Sequence, residues 1–101
     1  MLSFFKGIKE KKQQYLNKFR ERKRQDLFTR IQKVTASELK IEDINSIKLN
    51  SRFIEDLRVD SLASVELIMG LESEFNLEIS DEESEKILTI EDAIDYLENK
   101  V

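Results

Sequence analysis

Apolar residues recur at helical spacing through the first forty residues of the chain. Over residues 3–24 they form a thin stripe among many basic side chains, which predicts an amphipathic helix with Phe5, Ile8, Tyr15, Leu16 and Phe19 on one side. The next apolar residues extend the same phase and predict a helix over about residues 26–39, held by Leu27, Phe28, Ile31 and Val34. The pattern therefore predicts that the first helix runs directly into the second.

Capping residues mark two helices near the end of the chain. Ser80 and Glu83 have the spacing of a capping box, which predicts a short helix from Ser80 through Ile87. Thr89 is predicted to cap a last helix, whose apolar face consists of Ile90, Ala93, Ile94, Leu97 and Val101.

Residues 40–60 show no helical pattern and form a long predicted loop. Its expected apolar anchors are Ile41, Ile44, Ile47 and Leu49. Ser51 is predicted to cap a short turn that holds Phe53, Ile54 and Leu57. With the helix described next, the elements predict an all-α fold: a small four-helix bundle preceded by a basic amphipathic helical extension.

The helix predicted over residues 61–75 has two apolar faces. It begins at Ser61 after Asp60, a good N-cap, and ends by Asn76. One side is an ordinary core face, made of Ser64, Leu67, Ile68, Leu71 and Phe75. The other side is Leu62, Val65, Glu66, Met69 and Ser73, with Glu72 at its edge. Apolar side chains with an acidic rim suit a docking surface, although a tight bundle could bury both sides.

Composition removes most kinds of catalytic chemistry from consideration. The 101-residue chain contains no cysteine, histidine, tryptophan or proline. Disulfides, thiol nucleophiles, histidine-based triads and histidine-ligated zinc are therefore excluded, and we predict neither a metal site nor catalytic residues. A hydrolase using paired carboxylates is disfavoured, because the acidic residues are spread along predicted helix faces. No apolar run approaches the ~20 residues that span a bilayer.

Charge divides the chain into residues 1–25 and residues 26–101. The first part has nine basic residues and two glutamates, a net charge of +7, whereas the second part has a net charge of −11. We therefore interpret residues 1–25 as a basic arm and residues 26–101 as an acidic domain. The acidic domain disfavours nucleic acid as a partner and favours basic proteins.

Ser61 is the residue best placed to hold a chemical group. At the first position of its helix it lies beside unpaired backbone N–H groups and the positive end of the helix dipole. An anionic phosphodiester attached to its oxygen would be stabilised there. A tripeptide such as Asp60-Ser61-Leu62 also occurs by chance, however, and the residues around it decide its meaning.

Those surrounding residues form a series of short motifs: Phe53-Ile54-Glu55-Asp56-Leu57, Asp60-Ser61-Leu62, Val65-Glu66-Leu67, Leu71-Glu72, Glu74-Phe75, Glu78-Ile79, Asp81-Glu82-Glu83, Glu85-Lys86-Ile87, Asp92-Ala93 and Tyr96-Leu97. In order and spacing they resemble the acyl carrier proteins of type II fatty acid synthases. The resemblance covers residues from about Asp26 to Val101.

The resemblance implies a carrier without catalytic activity of its own. Ser61, flanked by Asp60 and Leu62, would receive 4′-phosphopantetheine from coenzyme A through a separate phosphopantetheinyl transferase. The thiol of that group would hold acyl chains as thioesters and present them to synthase or transferase enzymes. Basic patches on those enzymes would dock on Leu62, Val65, Glu66, Met69, Glu72 and Glu74. A growing chain would be sheltered among Phe53, Ile54, Leu57, Ile68, Leu71, Phe75, Ile79, Ile87 and Ala93.

Several positions depart from the family pattern. Ala63 and Ser73 stand where acidic residues are usual, so the docking helix has less negative charge than expected. Arg58 replaces a glycine in the loop before Ser61, and Ser80 replaces a proline. The changes at positions 58, 63 and 73 are compatible with a specialised carrier for a pathway other than fatty acid synthesis, and equally with neutral drift. An unmodified interaction or adaptor module that keeps the same bundle is a further alternative.

Several functions are compatible with the basic arm, which lies outside the resemblance. It could lie on an anionic membrane with Phe4, Phe5 and Ile8 inserted, bind an acidic partner or a second copy, or fold back on its own acidic domain. It could also be an organelle-targeting segment, or a solvated charged helix without a separate role. The carrier is expected in the bacterial cytoplasm, with an organelle after import as the alternative.

Overall fold

Over residues 2–101 the fold is built from four α-helices and one short 3₁₀ turn. A computed structural model describes the backbone of residues 2–101 and the side chains of residues 7 and 9–101. Its elements are α1 (Leu2–Leu39), the 3₁₀ turn (Ile44–Ser46), α2 (Ser61–Phe75), α3 (Asp81–Ser84) and α4 (Ile90–Glu98). Residues 2–101 contain no strand, only an isolated bridge between Arg52 and Thr89. The predicted all-α fold is confirmed.

Helix α1 runs without a break from the basic arm into the acidic domain, across residue 25, as the sequence predicts. The prediction that one apolar phase continues along it holds only in part. Phe19 is 63% exposed, whereas Ile31 is completely buried. The two residues are twelve positions apart, which at about 100° per residue directs their side chains about 120° apart. Leu16 lies only about 20° from the buried Leu27, so the apolar stripe of the arm overlaps the core face of the bundle at one edge.

Helices α2 and α4 both pack against α1 and run antiparallel to it. In α2, Gly70 lies against Val34 and Glu38, and Glu74 contacts Arg30, which is nearer the start of α1. A Cβ atom at Gly70 would lie 3.0 Å from Val34 Cγ1, so this glycine allows the two helices to approach closely. Because α2 runs this way, its first residue lies at the end of the bundle opposite the basic arm.

The hydrophobic core lies between these three helices and the loops that join them. The last helix contributes four buried residues, as predicted, but Val101 is not among them: α4 ends at Glu98, and Val101 is 45% exposed. The buried apolar residues are Leu27, Ile31, Ile47, Phe53, Val59, Leu67, Leu71, Phe75, Ile79, Ile90, Ala93, Ile94 and Leu97.

The loop between α1 and α2 differs from the prediction in two respects. Ile47 is a buried anchor, but Leu49 is exposed. Ser51 does not cap the turn that follows it; its hydroxyl accepts a hydrogen bond from the preceding Lys48 N–H at 2.8 Å. The next turn is closed instead by the Arg52 carbonyl, which accepts bonds from the N–H groups of Asp56 and Leu57.

Helix α3 is shorter than predicted and ends at Ser84 instead of Ile87. Beyond Ser84 the backbone bonds tighten from four-residue to three-residue spacing, so the α-helix does not continue. Ser80 is its N-cap, as predicted, but within the described residues Glu83 does not complete the capping box. The Tyr96 hydroxyl donates to the Glu83 carboxylate. Burial, assisted by this hydrogen bond, raises the pKa of Tyr96 to about 12.

Three basic residues at the base of the arm hold the end of α4. Arg20 Nε donates to Glu98 at 2.8 Å, and Arg24 pairs with both Glu98 and Asp95. Lys23 Nζ donates to the backbone oxygens of Glu98 and Val101 at 3.2 and 2.6 Å. We call these contacts the α4 clamp. Among the described side chains, the ion pairs and hydrogen bonds between the arm and the end of the acidic domain come from residues 20–24.

The α4 clamp predicts a pH dependence of stability. Burial favours the protonated form of Glu98, but hydrogen bonds from Arg20 and Arg24 outweigh it and lower the pKa of Glu98 below 4.5. In the unfolded chain, the Glu98 carboxylate therefore binds a proton more readily than in the folded chain. The stabilisation that the ionised Glu98 gives to the folded chain is complete above about pH 4.5 and is lost as the pH falls through its lowered pKa. We expect the difference in unfolding free energy between wild type and Glu98→Gln to shrink over that range in urea titrations. Glu91→Gln, which removes a carboxylate of the same helix that makes no ion pair among the described residues, is measured alongside as a control.

Candidate functional site

Ser61 is the first residue of α2 and its side chain is exposed. The preceding Asp60 is extended, and its carboxylate accepts a hydrogen bond from Ala63 N–H at 2.8 Å, so the predicted N-cap is confirmed. The Asp60 carbonyl accepts the bond from Ser64 N–H. Within the described residues, the N–H groups of Ser61 and Leu62 have no acceptor. Two backbone donors and the positive end of a 15-residue helix therefore lie beside an accessible hydroxyl.

The loop before Ser61 is held in a strained conformation. Arg58 has a φ of 57°, in the left-handed region that side chains other than glycine and asparagine seldom adopt. The next residue, Val59, is buried, and its N–H donates to the Phe53 carbonyl at 2.9 Å. This bond and this burial hold the turn, so the Arg58 side chain projects into solvent two residues before the N-cap.

Replacing Arg58 by glycine should stabilise the folded chain by roughly 0.5–1 kcal/mol, because relief of the left-handed strain exceeds the added flexibility of glycine. Urea unfolding of Arg58→Gly and wild type measures the difference. The control is Arg22→Gly, which makes the same change within a regular helix and should destabilise the chain. Arg52→Gly does not serve as a control, because Arg52 pairs with Asp56. Loss of stability in Arg58→Gly would show that the arginine side chain compensates for the backbone strain.

A cavity of about 520 Å³ opens next to Ser61. Of the residues predicted to form a shelter, Phe53, Ile54, Ile68, Leu71 and Ile87 line it. The other predicted residues do not: Phe75 and Ala93 are buried elsewhere in the core, and Leu57 packs against the core from outside. Ile79 lines an adjoining pocket that shares Ile68 and Glu85 with this cavity. The prediction did not include Val59, Leu67 and Leu88, which complete the apolar lining. Leu67 could have been found from its place on the core face of α2.

The second apolar face of α2 is exposed. Leu62, Val65 and Met69 are 69%, 56% and 61% exposed, because this side of the helix points away from α1 and from the core. The alternative in which the bundle buries both faces of α2 is therefore wrong. Together with Glu66 these residues form an apolar and acidic surface that begins directly after Ser61, and we call it the α2 face.

The three glutamates predicted for docking differ in their surroundings. Glu66 is exposed and, within the described residues, makes no hydrogen bond or ion pair. Glu72 is half-buried, and its carboxylate accepts a bond from Ile79 N–H at 2.8 Å. Glu74 pairs with Arg30 at 3.0 Å, and that guanidinium also lies 4.3 Å from the centre of the Phe75 ring. Glu66 is thus the most available of the three carboxylates.

The geometry suits the attachment of an anionic group better than catalysis. The exposed hydroxyl can form an ester, and the unpaired N–H groups can bind the oxygens of a phosphodiester. An attached flexible chain would begin beside the apolar cavity. The ionisable residues that line this cavity are Asp60 and Glu85, and the Asp60 carboxylate is occupied by the cap. The residues present therefore fit a phosphopantetheine group on Ser61.

Comparisons with known proteins agree with this chemistry. A family profile described as "Phosphopantetheine attachment site" matches residues 29–97. The acyl carrier protein of Helicobacter hepaticus (strain ATCC 51449 / 3B1) is 49% identical over 73 residues, which cover 72% of this chain and 95% of that protein. The family match and the similarity to this relative agree with the geometry of Ser61 and its cavity. The chain therefore belongs to the acyl carrier proteins, which have no catalytic activity of their own and hold acyl groups on a covalently attached 4′-phosphopantetheine.

Proposed function

We propose that Ser61 is the residue to which 4′-phosphopantetheine is attached. The observation that carries this proposal is an exposed hydroxyl at the first position of α2, beside two N–H groups that have no acceptor within the described residues. The phosphodiester would lie at the positive end of the helix dipole, where negative charge is favoured. Ser61 also falls inside the region matched by the phosphopantetheine family. The thiol of the attached group supplies the thioester chemistry.

Partners of the carrier include a phosphopantetheinyl transferase and the acyl synthases and transferases. We propose that they dock on the α2 face, through Leu62, Val65 and Met69, with Glu66 as the main carboxylate. The exposure of these residues next to Ser61 supports this role. Glu72 and Glu74 would contribute negative potential to the rim while holding Ile79 N–H and Arg30. Charged residues at the rim of an interface mainly increase the rate at which two proteins associate.

We further propose that the cavity beside Ser61 shelters an apolar acyl chain. Its lining is mainly aliphatic and aromatic, so burial of methylene groups there would be favourable. Phe53, Ile54, Ile68, Leu71 and Ile87 would contact the chain. The residues that lie elsewhere in or against the core (Leu57, Phe75, Ile79 and Ala93) would support the walls.

We propose that this carrier acts in the bacterial cytoplasm. We also propose that residues 26–101 form its carrier domain. The bacterial source of the similar carrier and the family match to residues 29–97 support these two points. No helix of the described residues is long and apolar enough to cross a membrane.

The attachment site is tested by incubating the chain with coenzyme A and a phosphopantetheinyl transferase and then measuring the intact mass. Wild type should gain one phosphopantetheine group, and Ser61→Ala should gain none. Ser64→Ala removes another exposed hydroxyl of the same helix and should be modified normally. Modification of Ser61→Ala, or absence of any gain by wild type, would contradict the proposal.

A further inference from the structure

The basic arm extends beyond the α4 clamp and presents a large uncovered surface. Tyr15, Leu16 and Phe19 are 71%, 47% and 63% exposed. Five exposed cations of the same stretch make no ion pair or hydrogen bond to any described residue: Lys9, Lys11, Lys12, Lys18 and Arg22. Among the described residues, therefore, both apolar area and positive charge of the arm are left without a partner.

These residues are sorted around the helix. At about 100° per residue, Tyr15, Leu16 and Phe19 occupy a sector about 100° wide, with Lys12 among them. Lys11, Lys18 and Arg22 border one side of this sector, and Lys9 and Arg20 border the other. The opposite half of the helix contains both glutamates and the amides of the arm, together with Arg24 of the α4 clamp: Glu10, Glu21, Gln13, Gln14, Asn17 and Gln25. An apolar strip bordered by cations and backed mainly by neutral and acidic residues is typical of a helix that lies in the plane of a membrane interface.

We propose that this face of the arm binds the surface of an anionic lipid bilayer. The aromatic rings would enter the boundary between headgroups and acyl chains, and the flexible stems of the lysines would lie along the apolar region while their ammonium groups meet lipid phosphates. A second copy of the arm is a less suitable partner for this face, because its lysines and arginines would lie against the lysines and arginines of the first copy. An acidic protein would satisfy the charges but would need its own apolar groove for the rings.

The fold makes such binding compatible with the carrier function. The α4 clamp joins the arm to the bundle, because Arg20, Lys23 and Arg24 hold the end of α4. The antiparallel packing of α2 places Ser61 at the other end of the bundle. The molecule is 61 Å long, so the residues of the arm proposed to contact lipid and Ser61 lie towards opposite ends of its long axis. This inference concerns a surface separate from the proposed attachment site and does not depend on it.

The chain contains no tryptophan, so a single introduced tryptophan can report on each side of the arm. The full chain is prepared as Phe19→Trp and as Asn17→Trp, and each is mixed with vesicles of phosphatidylglycerol and phosphatidylcholine or of phosphatidylcholine alone. We expect the emission of Phe19→Trp to shift to shorter wavelength with the anionic vesicles only, and that of Asn17→Trp to change much less. High salt should weaken the effect.

Binding strength is measured by co-sedimentation with the same vesicles. Phe19→Glu and Asn17→Glu add the same negative charge on opposite sides of the helix, and circular dichroism checks that both remain helical. We expect Phe19→Glu to bind at least about tenfold more weakly than Asn17→Glu, because only Phe19 would be buried in lipid.

Three kinds of result would overturn the proposal. One is equal emission shifts at positions 17 and 19, or no binding of wild type to anionic vesicles. Another is a dimer of the full chain in sedimentation equilibrium that Phe19→Glu abolishes and Asn17→Glu keeps, which would assign this face to a second copy. The third is a shift of Phe19→Trp with polyglutamate as large as the shift with anionic vesicles, which would favour an acidic protein.

Discussion

Replacing Leu71 by alanine is expected to lower the free energy of unfolding by about 3 kcal/mol, since the change removes buried methyl groups and leaves a cavity that the core cannot fully close. Leu71 is 1% exposed and lies where α2 meets the core and the cavity beside Ser61. A domain of this size has little stability to lose. We therefore expect a large shift of the urea midpoint.

Leu62→Ala is the matched control for this prediction. It makes the same chemical change in the same helix, but Leu62 is 69% exposed on the α2 face, so we expect its unfolding free energy to change by less than about 0.5 kcal/mol. Urea titrations of the two variants, followed by circular dichroism, give the comparison. Equal losses of stability would mean that the α2 face is packed in solution and is not free to dock partners.

Attachment of an octanoyl chain through the prosthetic group is expected to stabilise the fold by about 3 kcal/mol relative to an acetyl chain. This estimate assumes that about four additional methylenes enter the cavity beside Ser61, at about 0.8 kcal/mol each. The cavity of about 520 Å³ and its apolar lining provide the space and the environment. Urea unfolding of the two acylated forms measures the effect, which depends on the proposed attachment at Ser61.

Filling the cavity should remove this gain. Ile68 lines the cavity, so the larger side chain of Ile68→Phe would occupy space that the acyl chain needs. Met69→Phe enlarges the neighbouring residue, which is 61% exposed and does not line this cavity, and should keep most of the octanoyl effect. If octanoyl and acetyl wild type unfold at the same urea concentration, the acyl chain does not lie in this cavity.

The helix starts of the second half of the chain could be predicted because their causes are local. Asp60, Ser80 and Thr89 each accept a hydrogen bond from an N–H three residues later, within a single turn. The two faces of α2 follow in the same way from helical periodicity, which separates Leu71 from Leu62. The resemblance to acyl carrier proteins also depends on residues close together in the sequence, and the family match confirms it.

Predictions that depended on distant partners were less successful. A capping box looked possible at Ser80, but the Tyr96 hydroxyl, thirteen residues from Glu83, binds that carboxylate instead. Glu72 and Glu74 resemble Glu66 in the sequence, yet Ile79 N–H and Arg30 engage them in the folded chain. Hydrogen-bond competition of this kind is decided by which groups the fold brings within reach.

The sequence by itself determined the helical class, the caps, the acidic domain with its basic arm, and the serine at the start of α2, because composition and contacts within a few residues suffice for these. Only the tertiary structure decided which apolar residues line the cavity and that Arg20, Lys23 and Arg24 clamp the end of α4. The cavity brings together residues from 53 to 88, and the clamp joins residues more than seventy positions apart, so both depend on how the helices pack.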